Sequence, residues 1–197
     1  MQQTFIFFGK SGSGKGTQAE MLKKYLNEKK GIEPIYIETG QKFRNFIDQS
    51  NYSAELTKEV MTKGGLLPDF LPIWIWTTDL VNKFDGSRDL ILDGLCRRPD
   101  EAPVLDSAIK FYKISKPFVL YIKTSNEWSF ERMKERGRKD DSDEYIKSRL
   151  KWFDWNVVPA MAYFYDNEDY HFFEINGEQP IDDVYKEIIS KIESIND

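Results

Sequence analysis

The chain has 197 residues, a length that fits one compact domain with at most a small insertion or lid and disfavours a two-domain enzyme. Its 33 acidic and 28 basic side chains leave a net charge of −5, so no broad basic surface draws it onto nucleic acid. A hydrophobic share of 40%, with 15% aromatic residues, is ample for a buried core and excludes global disorder. Cys96 has no partner for an internal bridge, and with His171 as the only histidine the chain offers no zinc ligand set. The N-terminal MQQTFIFFGK lacks the pattern of a secretory leader, so a reducing, cytoplasmic setting is expected. The most apolar windows, Phe5 to Phe8 and Phe70 to Trp76, fall far short of the roughly 20 residues of a membrane-spanning helix, and no membrane partner is expected.

Along the chain, short apolar runs bounded by turn residues alternate with segments of helical period, the pattern of βαβ units around a parallel sheet. Thr4 to Phe8 reads as a strand and Thr17 to Lys30 as the helix after it. Ile35 to Ile37, between Pro34 and a Thr39-Gly40 turn, is a candidate strand, followed by helices over Lys42 to Gln49, Ala54 to Lys63 and Leu71 to Lys83. Leu90 to Leu92 and Phe118 to Ile122 are strands on either side of a helix from Glu101 to Ile114. Helices then cover Glu127 to Arg136 and Asp143 to Tyr165, Phe172 to Ile175 is the last strand, and Ile181 to Ile195 the last helix. In that helix Ile181, Val184, Ile188, Ile192 and Ile195 fall on one stripe, and Pro180 suits the first turn. With no internal repeat or linker, the fold class is one α/β unit: a central parallel sheet of about five strands flanked by helices.

The strongest chemical signal is Gly9-Lys10-Ser11-Gly12-Ser13-Gly14-Lys15-Gly16-Thr17-Gln18, placed directly after an apolar strand and opening a helix. Glycines let successive backbone N–H groups converge on an anion, the helix N-terminus adds its positive dipole end, and Lys15 supplies a mobile cation for the outer phosphates. A merely flexible glycine turn would not need the strand, the helix and the lysine in register. The residue after the lysine is Gly16, where Ser or Thr normally meets Mg²⁺, so the metal must find other ligands. Asp93, at the end of the strand Leu90 to Leu92, can reach a metal through water; its alternative is a turn-forming Asp-Gly pair. Thr17 remains available to a phosphate.

These residues resemble the adenylate kinases, within the nucleoside monophosphate kinases, nearly from end to end. Gly12 to Gln18 looks like the loop of that family, Thr39-Gly40-Gln41-Lys42-Phe43-Arg44 its Thr-Gly-Asp-x-x-Arg segment, Gly64-Gly65-Leu66-Leu67-Pro68 its Gly-x-Leu-Val-Pro turn, and Asp93-Gly94-Leu95-Cys96-Arg97 its Asp-Gly-Phe-Pro-Arg signature. Arg132, Arg136, Arg138-Lys139-Asp140-Asp141 and Arg149 match the arginines framing its ATP lid, and Gly177-Glu178-Gln179-Pro180 resembles its loop against the ATP base. The resemblance implies a P-loop kinase fold, with a nucleotide-receiving insertion at about 38–67 and a minimal lid at about 136–139. It implies reversible transfer of the ATP γ-phosphoryl group to AMP with Mg²⁺ on the donor. Lys15, Arg97, Arg138 and Arg149 would be catalytic. Gly12, Ser13, Gly14, Lys15, Gly16, Thr17, Arg132, Arg136 and Gln179 would bind ATP, Arg132 by stacking on adenine. Thr39, Arg44, Gly65, Leu66, Leu67, Gly94, Arg97, Glu101, Arg138 and Arg149 would bind AMP, and Asp93 the metal through water. Beside the resemblance, the physics agrees: transfer between two nucleotides gathers several phosphates, which calls for guanidinium groups from several segments and for no protein nucleophile. A cytoplasmic monomer acting on free nucleotides is expected.

The chain departs from the family at four places. Lys10-Ser11 stands where a proline is usual and adds a positive charge near the phosphates; Cys96 replaces the proline of the signature, which would loosen the turn presenting Arg97; Gly137 alone separates Arg136 from Arg138; and Glu101 stands where glutamine is usual. Glu101 motivates a second reading, a kinase for another monophosphate such as GMP, and the reduced lid a third, a nucleotide-binding regulator without turnover. Asp140 and Asp141 serve equally well in helix capping or lid closure. His171 is read as a packing residue, and the pairs Trp74 with Trp76 and Trp152 with Trp155 as core.

Overall fold

The computed structural model describes residues 2–63, 65–137 and 142–196. Among them, five strands form one parallel sheet: β1 (Thr4–Gly9), β2 (Ile35–Glu38), β3 (Leu90–Asp93), β4 (Phe118–Lys123) and β5 (His171–Asn176), in the order β2-β3-β1-β4-β5. All five lie where the apolar runs place them. The helices are α1 (Lys15–Lys30), α2 (Thr39–Phe46), α3 (Tyr52–Thr62), α4 (Phe70–Lys83), α5 (Glu101–Phe111), α6 (Asn126–Arg136), α7 (Asp143–Trp152), α8 (Val158–Tyr165) and α9 (Ile181–Asn196), with a π-helical turn at Phe153–Val157 between α7 and α8.

The strands are apolar at nearly every position because helices cover both faces of the sheet. Phe5 and Phe7 of β1 point to the side where Leu22 and Leu26 of α1 and Val184, Ile188 and Ile192 of α9 pack. Ile6 and Phe8, one residue out of step, point to the other side, against Trp76 and Leu80 of α4, Leu105 and Ile109 of α5, and Phe164 of α8. The connection leaving β1 therefore runs to one face and the connection leaving β3, its neighbour, to the other. Their carboxyl ends part there into a crevice, the position where open α/β sheets bind ligands. A satellite cluster of Phe43, Phe46, Ala54, Leu71 and Ile75 seats α2 and α3 on α4 beside that crevice, and Met133, Ile146 and Leu150 join α6 to α7 on its far side.

Several boundaries differ from the sequence reading. Helix α2 starts at Thr39 instead of Lys42, because the Glu38 side chain accepts the Gln41 N–H and caps the helix three residues early. Helix α5 stops at Phe111, three residues short of Ile114: Lys113 takes φ 54° and the Ile114 N–H turns back to the Ile109 carbonyl. The expected single helix from Asp143 to Tyr165 is interrupted by the π turn. Pro159, at the start of α8, has no N–H for the Trp155 carbonyl and its ring would crowd it, a conflict the wider turn relieves. The stripe of α9 is buried at Val184, Ile188 and Ile192, whereas its ends, Ile181 and Ile195, are exposed. Trp76 is fully buried as expected, but Trp74 is half exposed against Phe46 and Trp155 stands in solvent. His171 packs its ring 5.2 Å from that of Phe118. Among the described residues, no helix is long and apolar enough to cross a membrane.

Candidate active site

The loop from Gly9 to Lys15 folds back on itself through the Ser13 N–H, which donates to the Lys10 carbonyl at 3.1 Å. Gly12 (φ 85°) and Gly14 (φ 87°) occupy left-handed backbone, and a Cβ on Gly12 would sit 2.5 Å from the Ser129 carbonyl oxygen. No side chain caps α1 at Gly14, so the first amide groups of this helix are left for an anion. Ser13 is buried beneath the loop. The loop forms one wall of a cleft of about 510 Å³, which Gly12, Gly14, Lys15, Gly16 and Thr17 line.

Facing the loop, β3 ends in Asp93, 3% exposed, whose Oδ1 lies 3.7 Å from Lys15 Nζ and has no hydrogen-bond partner. Its other oxygen accepts from the Tyr36 hydroxyl at 3.0 Å. Burial, and then the Asp93 charge, push the Tyr36 phenol far above its ordinary value, so it remains a donor. The Asp93 carboxylate pulls the Lys15 ammonium up, but burial together with the Arg97 and Arg149 guanidiniums outweighs it and leaves Lys15 below the ordinary lysine value. An anion in the cleft would relieve that crowding of positive charge.

Arg97 is held by its own Nε, which donates to the Gly94 carbonyl at 2.8 Å. The Thr39 hydroxyl donates to the same oxygen at 2.6 Å. Thr39 and Gly94 thus position Arg97 at the cleft. Cys96 lies within this turn. It is buried, takes φ 52°, where the ring of a proline would not fit, and is followed by an Arg97 N–H that donates to Glu101 Oε1 at 3.1 Å. Glu101 is 1% exposed, its Oε2 has no partner, and burial raises its carboxyl above the ordinary range although Arg97 opposes the shift.

Of the remaining expected site residues, Arg44, Gly65, Leu66, Leu67, Glu101, Arg132, Arg136 and Arg149 all line the cleft with Arg97. The Arg132 guanidinium stacks over the Trp128 ring at 4.9 Å, and that of Arg149 over Tyr145 at 5.1 Å. Gln179 is not among the residues lining the cleft: its amide donates to the Asn176 carbonyl at 2.9 Å and to Glu187 Oε2 at 2.7 Å, tying the loop to α9. Lys10 lines the cleft, yet its charge is committed elsewhere, to the Thr124 carbonyl at 3.2 Å and Asp154 at 3.7 Å. Arg138, Asp140 and Asp141 lie outside the described residues. Ser142 caps α7 by accepting the Tyr145 N–H at 3.3 Å.

Several residues of the cleft carry no sequence motif that announces them. Tyr36 and Glu38 end β2, and the strand register pairs Glu38 with Asp93, so a topology would have found them. Arg98 reaches across to Asp69 at 3.1 Å, and its guanidinium also meets the Leu66 carbonyl at 3.5 Å. Trp152, read as core, is a half-buried wall of the cleft with its indole N–H unpartnered.

A phosphate-binding loop at the crevice of a parallel sheet, with guanidiniums converging from four other segments, defines a P-loop phosphotransferase acting on phosphorylated substrates. Comparison with known families matches residues 7–169 to the family described as Adenylate kinase. The chain is 31% identical over 192 residues to an adenylate kinase of Azobacteroides pseudotrichonymphae genomovar. CFP2, covering 95% of this chain and 96% of that one. It is 30% identical to an adenylate kinase of Flavobacterium psychrophilum (96% and 98% covered) and 34% identical to adenylate kinase 1 of a Synechocystis strain (92% of each). The chain belongs to the adenylate kinase family, and is an ATP:AMP phosphotransferase.

Proposed function

We propose that the cleft divides at the line from Lys15 to Asp93, with the ATP phosphates on the loop and α1 and the acceptor between α2 and the Arg97 turn. The observation that carries this reading is the 3.7 Å pairing of Lys15 with Asp93 in a cleft that Arg44, Arg97 and Arg149 also line. Loop amides and Lys15 hold the β- and γ-phosphates, and Arg132 and Arg136 flank the donor. Arg44 and Arg97 hold the acceptor phosphate. Arg149, with Arg138, spreads over the oxygens of the transferring group, where charge redistributes during in-line attack by the acceptor oxygen. Since both reacting oxygens belong to phosphates, no protein base is required. The segment at about 38–67 receives the acceptor and the residues at about 136–139 serve as the lid.

Among the described residues, no group of three or more metal-ligating side chains exists, so the protein alone makes no cation cage. Asp93 Oδ1, buried and without a hydrogen bond, fits Mg²⁺ held mainly by nucleotide phosphates and water, as this ion prefers. Mg²⁺ would neutralise donor charge there, and Asp93 would orient its water. The net charge of −5 and the buried, free Cys96 are in keeping with a cytoplasmic monomer acting on free nucleotides without nucleic-acid or membrane partners. Steady-state turnover with ATP and each of AMP, GMP, CMP and UMP tests the assignment. AMP is expected to give the highest kcat/KM; a preference for another acceptor overturns the division of the base pocket.

A further inference from the structure

The end of β2 places a carboxylate inside a site built for an anion. Glu38 Oε1 accepts the Gln41 N–H of the α2 N-terminus at 3.2 Å and Arg44 Nη2 at 3.3 Å. A Cβ on Gly40 would meet this oxygen at 3.1 Å, Arg44 Nη1 at 3.4 Å and Arg97 Nη2 at 3.8 Å. One small volume therefore gathers a helix N-terminus and two guanidiniums, the combination that recognises phosphate, and the anion already in it belongs to the chain. Arg44 also donates to Gln41 Oε1, from Nε at 3.0 Å and Nη2 at 2.8 Å, but that acceptor is neutral. The Glu38 and Arg44 side chains are 34% and 31% exposed, so water can take over when the pair parts.

We propose that Glu38 is an internal competitor for the acceptor phosphate and thereby sets acceptor affinity. In the free enzyme its carboxylate holds Arg44; an incoming phosphomonoester displaces it and then binds beside its negative charge. The inference rests on the assignment of Arg44 and Arg97 to the acceptor phosphate. The penalty falls on the phosphate end alone, because a nucleoside without phosphate has no carboxylate to displace.

Calorimetric binding of AMP and of adenosine to the full chain, without ATP, tests this in the wild type, Glu38→Gln and Glu38→Ser. Both replacements keep an oxygen for the Gln41 N–H and remove the charge, serine being a favoured N-cap. Both variants are expected to bind AMP about threefold to tenfold more tightly, the range set by losing a partly exposed ion pair and a like-charge contact, with adenosine unchanged. AMP affinity that stays the same or weakens in both variants, or adenosine that tightens in parallel, overturns the proposal. Arg44→Gln separates the two levels of inference. If it leaves AMP affinity intact, the phosphate assignment fails and the competitor with it. If it weakens AMP while the Glu38 variants bring no gain, the assignment stands and the competition alone fails.

Discussion

Replacing Glu101 with glutamine changes one atom in a buried wall of the cleft, on the side proposed to receive the acceptor, and its effect is expected to depend on pH. Glu101 Oε1 already accepts the Arg97 N–H, and a glutamine carbonyl preserves that bond. The difference lies at Oε2, which is buried and unpartnered. Adenine offers a ring acceptor and an amino donor. An amide NH₂ or a neutral carboxylic O–H satisfies the ring acceptor, whereas an ionised carboxylate supplies acceptors only. Burial raises the Glu101 carboxyl, so its neutral form persists above the ordinary carboxylate range and serves adenine there. Once it ionises, the mismatch costs about 1–3 kcal/mol, the usual penalty of an unmatched buried polar group, or about 5- to 150-fold in kcat/KM. The assay is kcat/KM for AMP at saturating ATP and Mg²⁺, from about pH 5 to about pH 9, with GMP in parallel. The AMP phosphate titrates within that range, so the ratio of variant to wild type carries the test. That ratio should lie near one on the acid side and rise toward the ceiling with pH. The AMP preference over GMP should grow in the variant, because an ionised carboxylate suits the N–H groups of guanine. A ratio flat across pH, with an unchanged AMP/GMP preference, would refute the idea that this side chain reads the base.

The same carboxyl makes a stability prediction: its folded value is raised, so the native state binds more protons than the unfolded chain and stability falls as pH rises through that interval. Glu101→Gln should raise Tm at neutral pH and lose this advantage below the unfolded carboxylate value; a Tm difference constant with pH argues against it. Lys15→Ala should lower kcat by orders of magnitude, since the ammonium acts most strongly on charge developing in transfer, and near-normal turnover would sink the phosphate-loop assignment. In the wild type, the alkaline fall of kcat/KM for ATP should begin below the ordinary lysine value because Lys15 is depressed, and a profile level up to that value contradicts the crowding argument. If the proposed lid is as short as the sequence suggests, with Gly137 alone between Arg136 and Arg138, it would leave water near bound ATP, so slow ADP release without any acceptor is expected; undetectable hydrolysis beside fast transfer would mean that another segment covers the site.

What could be read in the sequence, and what could not, follows from the range of the interactions involved. The five strands and the phosphate loop depend on local pattern, an apolar run followed by glycines and a lysine, and they occur where that pattern puts them. The π turn before α8 depends on Pro159 acting on a carbonyl four residues earlier within an otherwise helical pattern, so periodicity alone passed over it. Side-chain commitments are less local still. Lys10 follows Gly9 in the loop and by position alone belongs to the phosphates, yet Thr124 and Asp154, distant in sequence, take its charge. Thr39 and Gln179 carry the expected chemistry, but their hydrogen bonds go to Gly94, Asn176 and Glu187, making them supports of the cleft wall and the loop. Conversely, Glu38 has no motif to announce it and becomes legible only through the register that sets it beside Asp93 and the helix start that points its carboxylate at Arg44. The cations lining the cleft are answered by carboxylates of the chain itself, among them Asp93 for Lys15, Glu38 for Arg44, Asp69 for Arg98 and Asp154 for Lys10. Asp93 belongs to the recognised signature; Glu38 supplies a second negative charge at the carboxyl edge of the sheet. Substrate phosphates therefore enter a site whose charge is already partly balanced, so acceptor affinity depends on how far each arginine must exchange one anion for another as well as on how many arginines surround the cleft.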